Sequence, residues 1–152
     1  MKPINRWYIF IALAVFIIDR VSKMWALRYL VNPIHVNDYF SFELLLNRGI
    51  SLGLFYFENQ IGFWLISALV MAILIGIMVW TWRIYKKGVP IIGQVFVIVG
   101  GISNVIDRFL YGGVIDFILL SYQNWQWPLF NIADVAIDVG VFILIIQSIR
   151  AK

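Results

Sequence analysis

The chain has 152 residues, of which 62% are hydrophobic and 13% are charged, and its formal net charge is +4. A water-soluble domain is about half apolar, and a small fold cannot hide much more apolar surface than that. The composition therefore excludes an ordinary soluble domain and indicates a single integral membrane domain over residues 1–152. The basic residues form no single patch, so we expect no nucleic-acid partner. With no Cys and only His35 as histidine, we expect no metal, no cofactor and no disulfide.

The hydropathy pattern predicts an all-α membrane protein with four transmembrane helices. In chain order the predicted spans are residues 7–25, 61–82, 89–110 and 127–149. The chain begins like a signal peptide but lacks a small-residue cleavage site, so we interpret the first span as retained. Trp and Tyr residues cluster at the ends of the spans, as expected for side chains at a membrane interface.

The charges predict the orientation of these spans. One side of the predicted membrane carries seven basic residues and no acid: Lys2, Arg6, Arg83, Lys86, Lys87, Arg150 and Lys152. Since cytoplasmic loops are enriched in Lys and Arg, both termini are expected in the cytoplasm. The outer face then carries two segments, roughly residues 26–60 and 111–127.

The first outer segment predicts a small β-rich region. Within "YFSFELLL", the apolar residues Phe40, Phe42 and Leu44 alternate with Ser41 and Glu43, a pattern typical of short strands with one apolar side. The second outer segment opens on a Gly-Gly turn and then becomes apolar. Both segments are too apolar for ordinary water-exposed loops, so we expect them at the bilayer surface.

Polar residues within the fourth span form one stripe. Asn131, Asp134 and Asp138 recur at spacings of three and four, so they share a helix face that must meet protein or water rather than lipid. Ionisable residues in membrane spans are costly and are therefore candidates for function. Alternatively, Asn131 and Asp134 only satisfy free N–H groups at the helix start, and Asp138 only pairs with a basic residue.

The first and third spans carry polar residues of their own. "GGISNVIDR" places Asn104, Asp107 and Arg108 within about one turn, and the adjacent Asp107 and Arg108 point differently and need separate partners. An ion-pair network without chemistry is the alternative interpretation. Asp19 and Lys23 form an i, i+4 pair in the favourable order, which we interpret as a structural ion pair.

A pair of carboxylates offers the clearest chemistry. Asp116 lies among apolar residues in "GGVIDFILL", where desolvation would raise its pKa, although a lone Asp at a turn would look the same. Asp134 lies at a similar depth on another segment. If the two acids meet, they would share a proton, so that one activates water and the other protonates an amide carbonyl.

Three competing interpretations remain at this point. A Ser–Lys dyad would need Lys23 to reach Ser51 or Ser103, because the adjacent Ser22 faces away from it. A small ion or proton carrier would need polar residues throughout the membrane, whereas the inner halves of spans one, two and four are almost purely apolar. A non-catalytic membrane scaffold would need no convergent carboxylates.

Five stretches together resemble bacterial lipoprotein signal peptidase, the type II signal peptidase family of membrane aspartic proteases. They are "DRVSK", "NRGISL", "GGISNVIDR", "GGVIDF" and "FNIADVAIDVG", and they span nearly the whole chain. The resemblance implies an endopeptidase that removes the signal peptide of a prolipoprotein just before a diacylglyceryl-modified Cys. It also implies a multi-pass protein of the bacterial cytoplasmic (inner) membrane, with its active site toward the outer, periplasmic face.

The resemblance assigns roles to individual residues. It places the two catalytic aspartates at Asp116 and Asp134. It matches the family's supporting polar residues to Asp19, Lys23, Asn47, Asn104, Asp107, Arg108 and Asn131. It further implies that the first outer segment forms a small sheet cradling the substrate, that membrane lipids are partners, and that the cyclic peptide globomycin blocks the site.

Three positions depart from the family pattern. Ser103 stands where the family usually has Gly, and Leu52 ends a pattern that usually ends in Phe. Asp138 matches no catalytic position of the family. As a third acid on the same stripe, it would either shift the titration of the other two acids or pair with a base.

Overall fold

The computed structural model describes residues 5–49 and 59–150, so Ser51 and Leu52 lie outside the described residues. Over this part of the chain there are four helices and four strands. In chain order they are α1 (Arg6–Tyr29), β1 (Ile34–Asn37), β2 (Phe40–Asn47), α2 (Gln60–Lys86), α3 (Ile92–Tyr111), β3 (Val114–Tyr122), β4 (Trp125–Gln126) and α4 (Ile132–Arg150).

Three of these helices, α2, α3 and α4, are long and apolar enough to cross a bilayer. The prediction of a membrane protein is therefore confirmed. Helix α1 is also long, but Asp19, Arg20 and Lys23 lie in its second half. Its assignment as the fourth transmembrane helix stays a prediction.

The helix bounds differ from the predicted spans chiefly at α4. The predicted start at residue 127 is wrong, because α4 begins at Ile132. The backbone of Phe130 instead pairs with Ile118 of β3, so the chain is extended immediately before the helix. The other three predicted spans coincide with α1, α2 and α3 to within four residues at each end.

The strands form one antiparallel sheet in the order β1-β2-β3-β4. The β-rich first outer segment is thus confirmed by β1 and β2. The second outer segment supplies β3, a strand that the sequence analysis did not predict. In the β2–β3 register, Leu45 pairs with Asp116 and Asn47 pairs with Val114. Since side chains alternate along a strand, Asn47 and Asp116 are diagonal neighbours on one face.

The sheet packs on the end of α1. Ala26 of α1 and Leu30, the residue that follows this helix, form a buried cluster with Ile115 and Phe117 of β3. Phe42 and Leu44 pack against this cluster, in agreement with the apolar side predicted for β2. Ser41 alternates with these residues along the strand and is itself buried, beside its β3 partner Leu119.

Close contact between α3 and α4 depends on glycine. A Cβ atom built on Gly140 would lie 2.6 Å from the carbonyl oxygen of Gly93, and one on Gly100 would lie 2.5 Å from that of Ala133. Real Cβ atoms do not approach backbone so closely, so larger residues would force the helices apart. Small residues let helices approach in the way that membrane proteins commonly use.

We predict that Gly140→Ala destabilises the protein by about 1–3 kcal/mol, because the added methyl group collides with the α3 backbone. Thermal unfolding in detergent measures the change. Gly76→Ala is the matched control, since a Cβ atom at Gly76 of α2 has nothing within 4 Å. Equal unfolding midpoints for the two variants would contradict this account of the α3–α4 contact.

Candidate active site

Strand pairing brings the two carboxylates, Asp116 and Asp134, into one site. The N–H of Ile118 donates to the carbonyl oxygen of Phe130 at 2.9 Å, and the N–H of Phe130 donates to that of Ile118 at 3.1 Å. Ile118 lies two residues after Asp116, and Phe130 directly precedes Asn131. The bonds between Ile118 and Phe130 therefore hold these two parts of the chain together. Helix α4 starts directly afterwards, so its first turn carries Asp134 to the β3 strand.

Asn131 connects the two acids. The N–H of Asp134 donates to Asn131 Oδ1 at 3.0 Å, and the N–H of Asn131 donates to Asp134 Oδ2 at 3.1 Å. This reciprocal pair is a capping box, so the predicted capping role is present. The other end of the same amide, Asn131 Nδ2, donates to Asp116 Oδ1 at 2.7 Å. One side chain therefore caps α4 and contacts the Asp116 carboxylate, while the backbone N–H of the same residue contacts the Asp134 carboxylate.

Two further amides complete the contacts of the carboxylates. Asn47 Nδ2 donates to Asp116 Oδ2 at 2.9 Å, and Asn104 Nδ2 donates to Asp134 Oδ1 at 2.8 Å. Each of the four carboxylate oxygens of Asp116 and Asp134 thus accepts an N–H group. The orientation of Asn104 is fixed because its Oδ1 accepts from the ammonium of Lys23 at 2.8 Å, and an ammonium group can only donate.

A buried ion-pair network lies beside this site. The Nζ atom of Lys23 is 2.9 Å from Asp19 Oδ2 and 2.7 Å from Asp107 Oδ2, and all three side chains are fully buried. The predicted Asp19–Lys23 pair is confirmed, and it belongs to a larger cluster. Ser103 Oγ donates to Asp19 at 2.5 Å rather than contacting Lys23, so the Ser–Lys interpretation gains nothing from Ser103.

The network holds the two segments that carry the acids. Asp19 Oδ1 accepts the free N–H of Ala133 in the first turn of α4 at 2.8 Å. Asp107 Oδ1 pairs with Arg20 Nη1 at 2.5 Å, and its Oδ2 accepts the N–H of Ile115 in β3 at 3.4 Å. The carboxylates of α1 and α3 therefore position the neighbours of both Asp134 and Asp116.

Sequence reasoning missed two members of the network. Arg20 donates to the carbonyl and hydroxyl oxygens of Ser103 at 3.3 and 3.4 Å besides its pair with Asp107. Arg20 could have been found, because it lies in a predicted span and carries the same desolvation cost as Asp19. Ser103 was noted only as a departure from the family pattern, and nothing in its spacing indicated an ion-pair network.

Arg108 approaches the site from the end of α3. As predicted, it points away from the partners of Asp107. Its Nη2 donates to the carbonyl oxygen of Gly49, and its guanidinium lies 5.8 Å from the ring centroid of Phe63. The Nη1 atom is buried and has no hydrogen-bond partner among the described residues. The same residue lines the cavity described next.

A cavity of about 530 Å³ opens onto these groups. Its polar lining consists of Asn47, Asn104, Arg108, Asp116, Asp134 and Asp138. Most of the remaining lining is apolar, including Trp127, Pro128, Leu129 and Phe130. The predicted pairing of Asp138 with a basic residue is not found within residues 5–49 and 59–150. The cavity therefore joins an apolar wall to a small set of acids, amides and one cation, as in many ligand sites.

The environment of Asp116 suits proton transfer. Burial raises the pKa of Asp116 and the nearby carboxylate of Asp134 raises it further, to about 7, against the opposing hydrogen bonds from Asn47 and Asn131. From the sequence, desolvation was expected to raise the pKa of Asp116, and the structure agrees. A carboxyl group of this kind holds or releases a proton near neutral pH.

Known proteins resemble the chain over almost its whole length. A sequence model described as signal peptidase (SPase) II matches residues 11–150. The chain belongs to the signal peptidase II family. It is 38% identical over 143 residues to a lipoprotein signal peptidase of Methylorubrum extorquens (strain PA1), covering 91% of this chain and 82% of that one. It is 39% identical over 140 residues to the lipoprotein signal peptidase of Clostridium tetani (strain Massachusetts / E88). That match covers 88% of this chain and 86% of the relative.

Two solved structures share the fold. Both are described as bacterial membrane enzymes solved by the in meso method, one at 2.3 Å and one at 1.9 Å resolution. The first has a TM-score of 0.78 at 24% identity and covers 98% of this chain and 91% of its own. The second has a TM-score of 0.77 at 23% identity, and the match covers 99% of this chain and 97% of the chain in that structure.

Membership in the signal peptidase II family decides among the functions considered from the sequence. The protein is an aspartic endopeptidase that removes the signal peptide from prolipoproteins. The resemblance seen in the five stretches is confirmed, and the carrier and scaffold interpretations are set aside. The three apolar helices and the family together identify a bacterial membrane protein.

We predict that Lys23→Met lowers the free energy of unfolding by about 3–5 kcal/mol, because it leaves the buried Asp19 without a cation and removes one of the two cations of Asp107. Thermal unfolding in detergent measures the loss. Lys87→Met removes the same charge from an exposed position at the end of α2 and should change stability by less than about 0.5 kcal/mol. A tolerated Lys23→Met would show that the ion-pair network does not hold the fold.

Proposed function

We propose that Asp116 and Asp134 are the catalytic pair with which this chain cleaves prolipoproteins. The observation that carries the proposal is the position of Asn131, whose side-chain amide donates to the Asp116 carboxylate and whose backbone N–H donates to the Asp134 carboxylate, while both acids line one cavity. In the proposed reaction, one carboxylate takes a proton from a water molecule, and the oxygen of that water attacks the scissile carbonyl carbon. The other acid gives its proton to the carbonyl oxygen.

Breakdown of the resulting diol intermediate completes the hydrolysis. The C–N bond breaks as the departing nitrogen takes the proton that the base removed from water, while a diol hydroxyl returns a proton to the acid that was deprotonated in the first step. The products are a signal peptide with a new carboxyl terminus and a lipoprotein with a new amino terminus. We assign the proton donor of the first step to Asp116, since burial and Asp134 raise its pKa to about 7. Asp134 then serves as the base that activates the water.

The Asp116–Asp134 pair favours a single retained proton. Two ionised carboxylates that lie close together away from water repel each other, and the charge of Asp134 raises the pKa of Asp116. One proton shared by the pair removes this repulsion, and it gives the protonation state that the reaction requires.

We assign supporting roles from the contacts. Asn47 and Asn131 orient Asp116, and Asn104 orients Asp134. Asp19, Lys23 and Asp107 hold the segments that carry the two acids. Arg108 and Asn104 line the cavity, and they would bind a carbonyl or ester oxygen of the substrate.

The membrane arrangement is part of the proposal. We propose that α1 is a fourth transmembrane helix, that residues 1–152 form one domain, and that both termini are cytoplasmic. The protein then lies in the bacterial inner membrane with its sheet at the periplasmic surface. Acyl chains hold the lipid-modified Cys at that surface by about 0.8 kcal/mol for each buried CH₂ group. The sheet would cradle this substrate among membrane lipids, where a globomycin-type cyclic peptide would block access.

We predict that Asp116→Asn and Asp134→Asn each abolish cleavage of a diacylglyceryl-modified prolipoprotein, because one carboxyl group cannot fill both the acid and the base role. A gel-shift assay with purified protein in detergent measures cleavage, and membrane insertion should be normal. Asp38→Asn, an identical change at an exposed turn between β1 and β2, should retain full activity. Full activity in either active-site variant would end the proposal.

We predict that cleavage declines as pH rises through about 7, because Asp116 then loses the proton that it donates. Asn47→Ala removes a hydrogen bond that stabilises the ionised form of Asp116, so the alkaline limb should move to higher pH. Initial cleavage rates between pH 5 and 9 test both statements. A limb that stays fixed in Asn47→Ala would show that Asp116 does not govern it.

A further inference from the structure

Asp138 is the one acid of the cavity without a role in the catalytic pair. It lies one helical turn beyond Asp134 on α4 and lines the same cavity, with an exposed side chain. It has no hydrogen bond or ion pair to any residue of the described segments, whereas every carboxylate oxygen of Asp116 and Asp134 accepts one. Its acceptor oxygens are therefore open to the cavity.

No ion pair within residues 5–49 and 59–150 explains Asp138 as a structural residue. The cavity that it lines also contains apolar residues, among them Val70, Val135 and Ile137. A carboxyl group within a membrane helix is costly and normally faces a partner or a water-filled cavity. Since the described protein supplies no partner, a bound molecule in the cavity is the natural one.

The position of Asp138 identifies which part of the substrate it meets, given the proposed function. Four residues of helix place Asp138 about 6 Å farther into the membrane than Asp134. The signal peptide enters from the membrane interior, while the lipid-modified Cys stays at the surface. An extended peptide rises about 3.3 Å per residue, so Asp138 lies beside a residue about two positions before the scissile bond.

A peptide in that place needs hydrogen-bond acceptors. The scissile bond must leave the helical conformation to meet the catalytic pair, so the residues just before it lose their helical hydrogen bonds. Their N–H groups are then unpaired in a largely apolar cavity, where an unsatisfied group is expensive. Among the described residues, the side chain of Asp138 offers hydrogen-bond acceptors without a partner in this cavity, one helical turn beyond Asp134.

We infer that Asp138 binds substrate directly, by accepting a hydrogen bond from a backbone N–H of the signal peptide two to four residues before the scissile bond. This contact fixes the register of the peptide in the cavity. Asp138 takes no part in proton transfer, so its contribution is the same in the ground state and in the transition state. Such a contact affects KM and leaves kcat nearly unchanged.

The first test compares substitutions at Asp138 with a diacylglyceryl-modified peptide as substrate. Asp138→Val should raise KM about tenfold, as expected for loss of one hydrogen bond to a charged group, with kcat within about twofold. Asp138→Asn keeps an acceptor oxygen and should restore most of the affinity, and the pH profile should be unchanged in both variants. Val139→Ala, at the next exposed position of α4, should behave as the wild type.

The second test removes the donor instead of the acceptor. Ester-for-amide substrates that lack the N–H two, three or four residues before the scissile bond are compared in the wild type and in Asp138→Val. At one of these positions the ester should raise KM in the wild type and have little further effect in Asp138→Val. Such a double-mutant cycle isolates the pairwise contact from separate effects of either change.

The outcomes separate this inference from the proposed function. An unchanged KM in Asp138→Val, a fall in kcat alone, a shifted pH profile or additive ester effects at all three positions would each overturn the inference. The wild type and the Asp116→Asn variant in the same assay test the catalytic pair independently. Failure of the wild type to cleave the lipid-modified peptide would overturn the proposed function itself.

Discussion

The buried ammonium group of Lys23 is the interaction on which the site depends. It binds the carboxylates of Asp19 and Asp107 and the amide oxygen of Asn104, at 2.7 to 2.9 Å. Through these three groups it joins α1 to α3 and sets which end of the Asn104 amide faces Asp134. Because none of the three ionised side chains has access to water, each requires the others, and the arrangement has few alternatives.

The start of α4 and the candidate site share side chains. Asn131 caps α4 and also contacts the Asp116 carboxylate, while Asp19 accepts an N–H of the same helix turn and also pairs with Lys23. A helix start normally leaves several N–H groups without partners. Here the groups that satisfy them are the ones that position Asp116 and Asp134, so the polar site is stabilised within an otherwise apolar bundle.

Local sequence patterns predicted much of the site. They failed where pairing between distant segments determines the secondary structure. The i, i+4 spacing of Asp19 and Lys23 and the stripe of Asn131 and Asp134 follow from helix geometry, which a sequence displays directly. Strand β3 was missed because its apolar run lacks alternation, and the start of α4 was misplaced because the pairing of Phe130 with β3 has no local signal.

The sequence by itself determined the membrane character, the apolar spans, the polar helix faces and, through the five family-like stretches, the class of enzyme. These properties depend on composition, periodicity and short motifs. Only the tertiary structure decided that Asp116 meets Asn131, that Asn104 turns its amide toward Asp134, and that Asp138 opens onto the same cavity. Those contacts join segments far apart in the chain, and their geometry is set by the β3–Phe130 pairing and by the charges around Lys23.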